Sequence, residues 1–235
     1  MRLEALRAEV LNANLELVRQ GLVLYTFGNV SGVDRATGVV AIKPSGVDYA
    51  TMTPADIVLV DLDGRAVEGS LRPSSDLPTH LELYRKFPAI GGVSHSHSEF
   101  ATAWAQARRA VACMGTTHAD YFHGAIPVTR DLSPAEIESD YELATGKAIV
   151  EAVAASVGCD KALEMPAALA AGHGPFTWGK DAMDAAHHAA ILEYVARINS
   201  RALAVNPETI ELPSAQREKH YLRKHGPNAY YGQAK

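Results

Sequence analysis

The 235-residue sequence is 47% hydrophobic and 21% charged, which is typical of a globular protein that buries its core without disulfide bonds. Its formal net charge of −5 argues against nucleic acid or an anionic membrane as a partner, because both repel an acidic protein. The two cysteines, Cys113 and Cys159, have neither the spacing of a disulfide framework nor that of a metal knuckle. The N-terminus is charged, unlike a signal peptide, and no apolar run is long enough to span a membrane. A cytoplasmic protein is therefore expected.

The first half of the chain is predicted to contain one long helix and several short strands. Apolar residues at helical spacing predict a helix over residues 3–20, and residues 26–32 have the composition of a loop. Short apolar runs predict strands at residues 39–43, at 57–61 and near 66–67. The Asp63-Gly64 pair between the last two strands is typical of a hairpin, so at least part of the sheet is antiparallel.

The second half of the chain is predicted to be mainly helical. Helices are expected at residues 77–87, 98–107, 133–156, 180–203 and 214–225, and strands at residues 90–97 and 166–171. Ser133 and Glu136 form a capping box, with Pro134 at the first helical position, that marks the start of the third helix. No repeat or linker interrupts the pattern. The sequence therefore predicts a single α/β domain over residues 1–235, with a central, largely antiparallel or mixed sheet flanked by helices.

Three histidines are candidates for a metal site. His95 and His97 are two residues apart in a predicted strand, so their side chains share one face with backbones about 7 Å apart. His173 follows an apolar strand and is flanked by glycines, which permit close approach of other groups. Three histidine nitrogens with open coordination positions are typical of catalytic zinc, although Mn²⁺ or Co²⁺ would also suit them. By itself, a His-x-His pair in a strand is more often not a metal site.

Three short turn segments are suited to binding an anion. They are Gly28-Asn29, Ser45-Gly46 following Lys43, and Ser74-Ser75. Each offers backbone N–H groups, hydroxyls or an amide, and Ser74-Ser75 also precedes a predicted helix, whose N-terminus favours negative charge. Each segment alone is also a common turn or helix cap, so the interpretation depends on their occurring together.

Taken together, these segments resemble the class II aldolase/adducin family. The resemblance is carried by FGNVS at residues 27–31, KPSGV at 43–47, PSSDLPTH at 73–80, SHSHS at 94–98 and GHG at 172–174. GTTHADYF at 115–122 and the tail KHYLRKHG at 219–226 with YYGQ at 230–233 are similar to the L-ribulose-5-phosphate 4-epimerase branch of that family. The resemblance implies a class II aldolase-like α/β/α fold and an isomerase of carbohydrate metabolism, as in arabinose catabolism. That enzyme would interconvert L-ribulose 5-phosphate and D-xylulose 5-phosphate by breaking and remaking the C3–C4 bond.

The resemblance also implies roles for individual residues. The metal positions are Asp76, His95, His97 and His173, and the substrate or phosphate positions are Gly28, Asn29, Lys43, Ser45, Gly46, Ser74 and Ser75. Asp120 and Tyr231 match two acid/base groups, and Thr116, Glu142 and His220 match supporting positions. A cyclic homotetramer with sites between subunits is implied as well. One departure is Ala171-Gly172, where the epimerases are expected to carry His-Ser before the ligand histidine; it puts in question the groups that tune the metal, not metal binding itself.

Three alternatives remain open from the sequence. A class II aldolase similar to fuculose-phosphate aldolase would release both products, but Asp76 stands where related aldolases carry a catalytic glutamate, which favours the epimerase. A non-catalytic, adducin-like domain is expected to lose the metal ligands, and all three histidines are present. A metal hydrolase would need a water-activating carboxylate and no phosphate-binding loops.

Overall fold

The computed structural model describes residues 2–231; residue 1 and residues 232–235, which include Gly232 and Gln233 of the tail motif, lie outside that range. The helices are α1 (Glu4–Arg19), α2 (Leu77–Lys86), α3 (Glu99–Gln106), α4 (Thr116–Ala119), α5 (Pro134–Glu138), α6 (Tyr141–Ser156), α7 (Ala182–Val205) and α8 (Ser214–His225), with a 3₁₀ turn at Cys159–Glu164. The strands are β1 (Asn29–Asp34), β2 (Val39–Ile42), β3 (Val58–Asp61), β4 (Ala66–Glu68), β5 (Gly92–His95), β6 (Ala167–Ala170) and β7 (Gly174–Gly179). Among the described residues, no helix is both long and apolar enough to cross a membrane.

The strands form a seven-stranded sheet in the order β4-β3-β2-β1-β5-β7-β6, and every pair is antiparallel. Helices cover both faces, as the alternation along β2 shows. Val40 and Ile42 pack in a core cluster with α2 and α6, whereas Val39 and Ala41 pack in a second cluster with α1 and α7. This alternation follows from the two-residue period of a strand. The predicted fold, a largely antiparallel central sheet flanked by helices, is confirmed.

The predicted loop at residues 26–32 is partly wrong, because its second half forms the start of β1. That strand contains asparagine, serine, glycine and aspartate, which are depleted from ordinary strands. Ser31 is accommodated because its buried hydroxyl bonds the His80 ring and the Tyr84 hydroxyl, each at 2.7 Å. Gly32 lies under α1, where a Cβ atom would come within 3.0 Å of Leu6 and Val10. Tertiary contacts therefore explain a strand that composition did not predict.

The single helix expected over residues 133–156 is in fact two helices. The capping box at Ser133 and Glu136 is present, but it starts only the short helix α5. The chain then breaks at Ser139, and Asp140 caps α6 by accepting a hydrogen bond from the backbone N–H of Leu143. A second helix start thus lies inside the predicted helix, and it brings the first turn of α6 to the site described below.

Asn14 fixes α1 to the first strand of the sheet. It is fully buried, and its Nδ2 donates to the carbonyl oxygens of Val10 at 2.8 Å and Val30 at 3.0 Å. Its Oδ1 accepts from the backbone N–H of Val30 at 2.9 Å. The amide thereby pairs both backbone groups of a residue next to Asn29, where β1 begins.

Replacing Asn14 with alanine is expected to lower the free energy of unfolding by about 1–3 kcal/mol, because buried backbone groups of Val30 lose their partner. The measurement is urea denaturation of both proteins. Asn12→Ala is the matched control, since Asn12 lies on the exposed face of the same helix. Equal losses in the two variants would contradict the role given to Asn14.

Candidate metal centre and substrate cleft

The candidate site lies at one edge of the sheet, where β1 begins and β5 ends. Asn29 pairs with His95 across these strands, and His95 pairs on its other side with Phe176 of β7. The turn between β6 and β7 carries His173, so it reaches the same edge. Antiparallel pairing thus explains how residues about 80 positions apart in the chain become neighbours.

The rings of His95, His97 and His173 converge at this edge. Their centroids are 4.9 Å apart for His95 and His97, 4.7 Å for His95 and His173, and 5.0 Å for His97 and His173. One nitrogen of each ring lies within 4.8 Å of the others. The predicted strand over residues 90–97 is too long, because β5 ends at His95. His97 therefore joins the group from the segment after the strand, not from a shared strand face.

His95 is held in one orientation by its surroundings. Its Nδ1 lies 3.0 Å from the carbonyl oxygen of Pro175, which can only accept a hydrogen bond, so Nδ1 carries the proton. The ring also stacks on Phe176 at a centroid distance of 4.1 Å. Burial lowers the pKa of His95 to about 3, which keeps the imidazole neutral at physiological pH. Nε2 is therefore the atom left to bind a metal ion.

His173 has a polar neighbour in Tyr141, whose hydroxyl lies 3.3 Å from Nδ1 of the ring. Tyr141 is the first residue of α6, so the helix start at Asp140 places it here. A contact on Nδ1 leaves Nε2 of His173 as the nitrogen available to a metal ion. Such partners orient the histidines that bind metals and raise their affinity.

Tyr141→Phe is expected to weaken zinc binding by up to about tenfold, because His173 loses the hydroxyl that orients its ring. The dissociation constant would be measured by competition with a chromophoric chelator. Tyr194→Phe, at an exposed position on α7, is the control. An unchanged dissociation constant would show that the Tyr141 hydroxyl does not support His173.

The donor set fits a divalent cation. Three histidine nitrogens within 4.8 Å of one another are the donors that would hold a zinc ion, which prefers nitrogen ligands of this kind. Burial lowers the pKa of His97 and of His173 as well, which favours the neutral form that coordinates metals. His97 is exposed and His95 buried, so the group is open on the side of the cleft. Three protein nitrogens with an open side are the arrangement of a catalytic ion.

Two loops beside the histidines, which carry the segments predicted to bind an anion and are called the anion cradle below, are fastened to each other. The backbone N–H of Ser45 donates to the Arg72 carbonyl at 2.9 Å, and that of Ser74 donates to the Lys43 carbonyl at 3.0 Å. Gly28 closes the cradle: its φ is +76°, and a Cβ atom there would lie 2.9 Å from the backbone oxygen of His95. These bonds hold hydroxyls and loop amides around one space.

A cleft of about 400 Å³ joins the histidines to these loops. Twelve of the residues predicted for the site line it: Gly28, Asn29, Lys43, Ser45, Gly46, Ser74, Ser75, Asp76, His95, His97, Glu142 and His173. Thr26, Phe27, Pro44 and Tyr141 complete the lining. The volume is sufficient for a small, phosphorylated sugar.

Asp76 lies in the cleft but outside the group of three converging histidines. Its Oδ2 accepts hydrogen bonds from Asn29 Nδ2 at 2.6 Å and from the Ser74 hydroxyl at 3.4 Å. Burial opposes ionisation of the carboxyl, but the nearby His95 and His80 rings and the Asn29 amide outweigh it, so the pKa of Asp76 is lowered. An ionised carboxylate next to the histidines adds negative charge that favours a bound cation.

Lys43 lines the cleft, but its amine is engaged within the loop. Nζ donates to the carbonyl oxygens of Val47 at 2.9 Å and Pro44 at 3.3 Å, and it lies 4.7 Å from the centre of the Tyr49 ring. Burial lowers the pKa of Lys43. In this arrangement Lys43 braces the 43–47 loop, and a direct contact with substrate stays a prediction.

The remaining predicted residues form a second group away from the cleft. Thr116, Asp120, His220 and Tyr231 are absent from the cleft lining within the described part of the chain. Asp120, at the end of α4, binds His220 and Arg223 of α8, and Arg223 in turn contacts Tyr231. Thr116 begins α4, and its carbonyl accepts from the Asp120 N–H at 3.0 Å. These contacts connect the residues of this second group to one another. The group is called the α4–α8 cluster below and consists of Thr116, Asp120, His220, Arg223 and Tyr231.

Sequence reasoning gave no role to Tyr141 and Arg223, which the structure brings into these groups, or to His80, whose ring lies near Asp76. Tyr141 had no distinguishing motif, whereas Arg223 lies inside the tail motif. His80 lies in the PSSDLPTH motif; burial lowers its pKa to about 4, and its Nε2 has no partner among the described residues. Only the motifs around Arg223 and His80 could have drawn attention to them.

The fold and the histidine-lined cleft are those of a class II aldolase-type enzyme. The chain belongs to the class II aldolase/adducin family, since the family model "Class II Aldolase and Adducin N-terminal domain" matches residues 8–200. An L-fuculose 1-phosphate aldolase is 27% identical with a TM-score of 0.76, the match covering 92% of this chain and 94% of that one. An l-fuculose-1-phosphate aldolase from Thermus thermophilus is 25% identical with a TM-score of 0.63, covering 88% and 98%. A sugar-phosphate aldolase from Thermotoga maritima, at 20% identity and a TM-score of 0.66 over 91% and 100%, shares the fold.

These comparisons confirm the resemblance at the level of the family, an enzyme family of carbohydrate metabolism. The fuculose-phosphate aldolases among the relatives act on a small sugar phosphate, and class II aldolases typically depend on a divalent metal. The epimerase branch, the identity of the metal and the homotetramer stay predictions.

Proposed function

We propose that the protein is a metal-dependent epimerase that interconverts L-ribulose 5-phosphate and D-xylulose 5-phosphate. The observation that carries this proposal is the convergence of His95, His97 and His173 in the same cleft as the anion cradle. A metal site beside a phosphate site suits a small sugar phosphate, with the reacting carbons at the metal and the phosphate in the loops. Zn²⁺ is the proposed ion, with Mn²⁺ or Co²⁺ as alternatives.

The chemistry follows from the substrate. C4 of a ketopentose carries no acidic proton, so exchange of a proton cannot invert it, whereas cleavage and re-formation of the C3–C4 bond can. A bound divalent cation supplies stabilisation for the oxygens that become negative during cleavage, worth several kcal/mol in a site that excludes water. Asp76 would support that cation from its place in the cleft.

The loops of the anion cradle have a second task in this reaction. Cleavage of C3–C4 leaves glycolaldehyde phosphate, whose aldehyde must rotate and present its other face before the bond re-forms. Ser45, Gly46, Ser74 and Ser75 would hold its phosphate meanwhile, with Gly28 and Asn29 beside it. Escape of the fragment would turn the epimerase into an aldolase, so retention by these loops decides the product.

Two proton carriers suit inversion better than one, because the oxygen on C4 is deprotonated on one face and reprotonated on the other. Asp120 and Tyr231 are proposed for these roles, supported by Thr116 and His220 in the same cluster and by Glu142 in the cleft. Since the α4–α8 cluster does not line the cleft of its own chain, a neighbouring copy would supply it. A cyclic homotetramer with sites between subunits meets that requirement.

The alternative function is that of a sugar-phosphate aldolase, which the fuculose-phosphate aldolases among the structural relatives favour. Asp76 and the pair Asp120 and Tyr231 favour the epimerase instead. The test is product analysis after incubation of the purified protein with L-ribulose 5-phosphate. D-Xylulose 5-phosphate that disappears with a chelator and returns with Zn²⁺ supports the proposal. Free glycolaldehyde phosphate and dihydroxyacetone as the sole products would overturn it in favour of an aldolase.

Metal analysis of the same preparation separates both enzymes from a non-catalytic, adducin-like domain. About one divalent ion per chain is expected, because residues 2–231 contain one such group of ligands, the three histidines. Protein that neither retains nor takes up a divalent ion would favour the non-catalytic alternative.

A further inference from the structure

Asp120 is held by an unusually complete set of donors. Arg223 donates from Nε to Oδ1 at 2.9 Å and from Nη2 to Oδ2 at 2.6 Å, which is a bidentate pair. Nδ1 of His220 lies 3.1 Å from Oδ1. A carboxylate offers about four lone-pair positions, so these contacts leave one position, on Oδ2. Any proton exchanged by Asp120 would therefore pass through Oδ2.

The same arginine also positions Tyr231. Its guanidinium carbon lies 4.8 Å from the centre of the Tyr231 ring, and its carbonyl accepts from the Tyr231 N–H at 3.1 Å. Lys224 provides a second cation 4.5 Å from that ring. Tyr231 follows the end of α8 and its side chain is 58% exposed, so a cation over its ring is a substantial part of what holds it.

We infer that Arg223 is a positioning residue that holds Asp120 and Tyr231 together as one unit, so that both proton carriers meet the substrate in a fixed relation. The inference rests on the proposed function, which assigns the proton-transfer roles to those two residues. Arg223 would act on the reaction through Asp120 and Tyr231, without contacting the substrate itself.

The electrostatics of Asp120 support this inference. Burial raises its pKa, but the hydrogen bonds from Arg223 and His220 outweigh burial, so the pKa of Asp120 is lowered overall. Among the described residues, the charged and titratable groups of α7 and α8, the helices packed against α4, that contact Asp120 or the adjoining Tyr121 are His220, Arg223, Lys224 and His225 on α8 and His187 and His188 on α7. Arg223 makes the direct, bidentate contact among them, so its removal should move the pKa of Asp120 upward.

The test compares Arg223→Lys and Arg223→Met with the wild-type enzyme. Both are expected to lose about 10- to 100-fold in kcat with little change in KM, because the proton carriers lose their alignment while the cleft is untouched. Asp120 can act as a base only above its pKa. In Arg223→Met, the pH at which kcat/KM falls on the acid side should therefore be higher than in the wild type. Arg223→Lys keeps the positive charge, and its acid limb stays nearer that of the wild type. Arg217→Lys, on the same helix and without contact to Asp120, is the control.

A second readout needs no substrate. The carboxyl pKa of Asp120, followed by ¹³C NMR in intact protein, should rise in Arg223→Met, and this result holds whether or not the wild type acts on L-ribulose 5-phosphate. If the wild type is inactive on L-ribulose 5-phosphate, the proposed function is wrong, but the NMR titration still tests the contact between Arg223 and Asp120. Kinetics within twofold of wild type in Arg223→Lys, or an unchanged Asp120 titration, would overturn the inference. Should Arg223→Met not fold, the kinetics of Arg223→Lys decide.

Discussion

His97→Asn is expected to abolish tight binding of a divalent ion and to lower turnover by about 10³-fold or more. Loss of one of three nitrogens leaves an incomplete site, and charge stabilisation by a bound metal is worth several kcal/mol, with each 1.36 kcal/mol equal to about tenfold in rate. His97 suits this test better than His95, because its ring is exposed whereas His95 is buried against Phe176. Removing it should therefore leave the fold intact.

The measurements are metal content by mass spectrometry and turnover of L-ribulose 5-phosphate in the presence of added Zn²⁺. His187→Asn is the matched control, since His187 is an exposed histidine on α7 outside the converging group. Thermal unfolding of both variants checks that the fold is kept. If His97→Asn binds one zinc ion per chain with wild-type affinity, the three histidines are not the metal site.

The chemistry of the site was more predictable than its surroundings. The spacing of His95 and His97, and the glycines around His173, indicate the group because glycine and short spacing allow close approach whatever the exact strand ends are. The strand was predicted too long, yet the rings still converge, since His97 reaches the group from the segment that follows β5. A local pattern can thus identify ligands without fixing the backbone that presents them.

Composition failed where side chains are stabilised by distant partners. The strand β1 contains Asn29, Ser31 and Gly32, whose preference for turns is overridden by contacts with α1 and α2. β7 was not predicted either, because it contains Pro175 and begins and ends in glycine. The contacts of β1 with α2 and the pairing of β7 with β5 join residues far apart in sequence, so no local window contains them, although β7 also pairs with the adjacent β6.

The contacts of Tyr141 and Arg223 show the same limit in the site. Tyr141 reaches His173 because α6 starts anew at Asp140, and the periodicity of residues 133–156 does not reveal that break. Arg223 binds Asp120 across 103 residues of sequence. Neither pairing follows from spacing, since the packing of α6 and α8 decides which side chains meet.

Mixing two inactive variants is expected to restore activity, which tests whether each site is shared between copies of the chain. A His97→Asn chain lacks an intact metal site but keeps the α4–α8 cluster. An Asp120→Asn chain keeps the metal site but has a defective α4–α8 cluster. Asp120→Asn alone should lose about 10²- to 10⁴-fold in turnover, because one proton carrier is removed. The two chains would be co-expressed with different affinity tags and purified through both.

In a ring where each cleft meets the α4–α8 cluster of the next copy, a site is intact only if an Asp120→Asn chain supplies the cleft and a His97→Asn chain supplies the cluster. Random assembly of equal amounts gives this combination at about a quarter of the sites. Mixed assemblies should therefore show about a quarter of wild-type turnover, while each variant alone stays nearly inactive. Pairing His97→Asn with Tyr231→Phe should give the same recovery, because Tyr231 belongs to the same cluster as Asp120. If cleft and cluster worked within one chain, every mixed chain would carry a defect and activity would not exceed that of the separate variants. Recovery would thus place Asp120 opposite the histidines of a neighbouring copy, and its absence would show that the cleft and the α4–α8 cluster do not act together across copies of the chain.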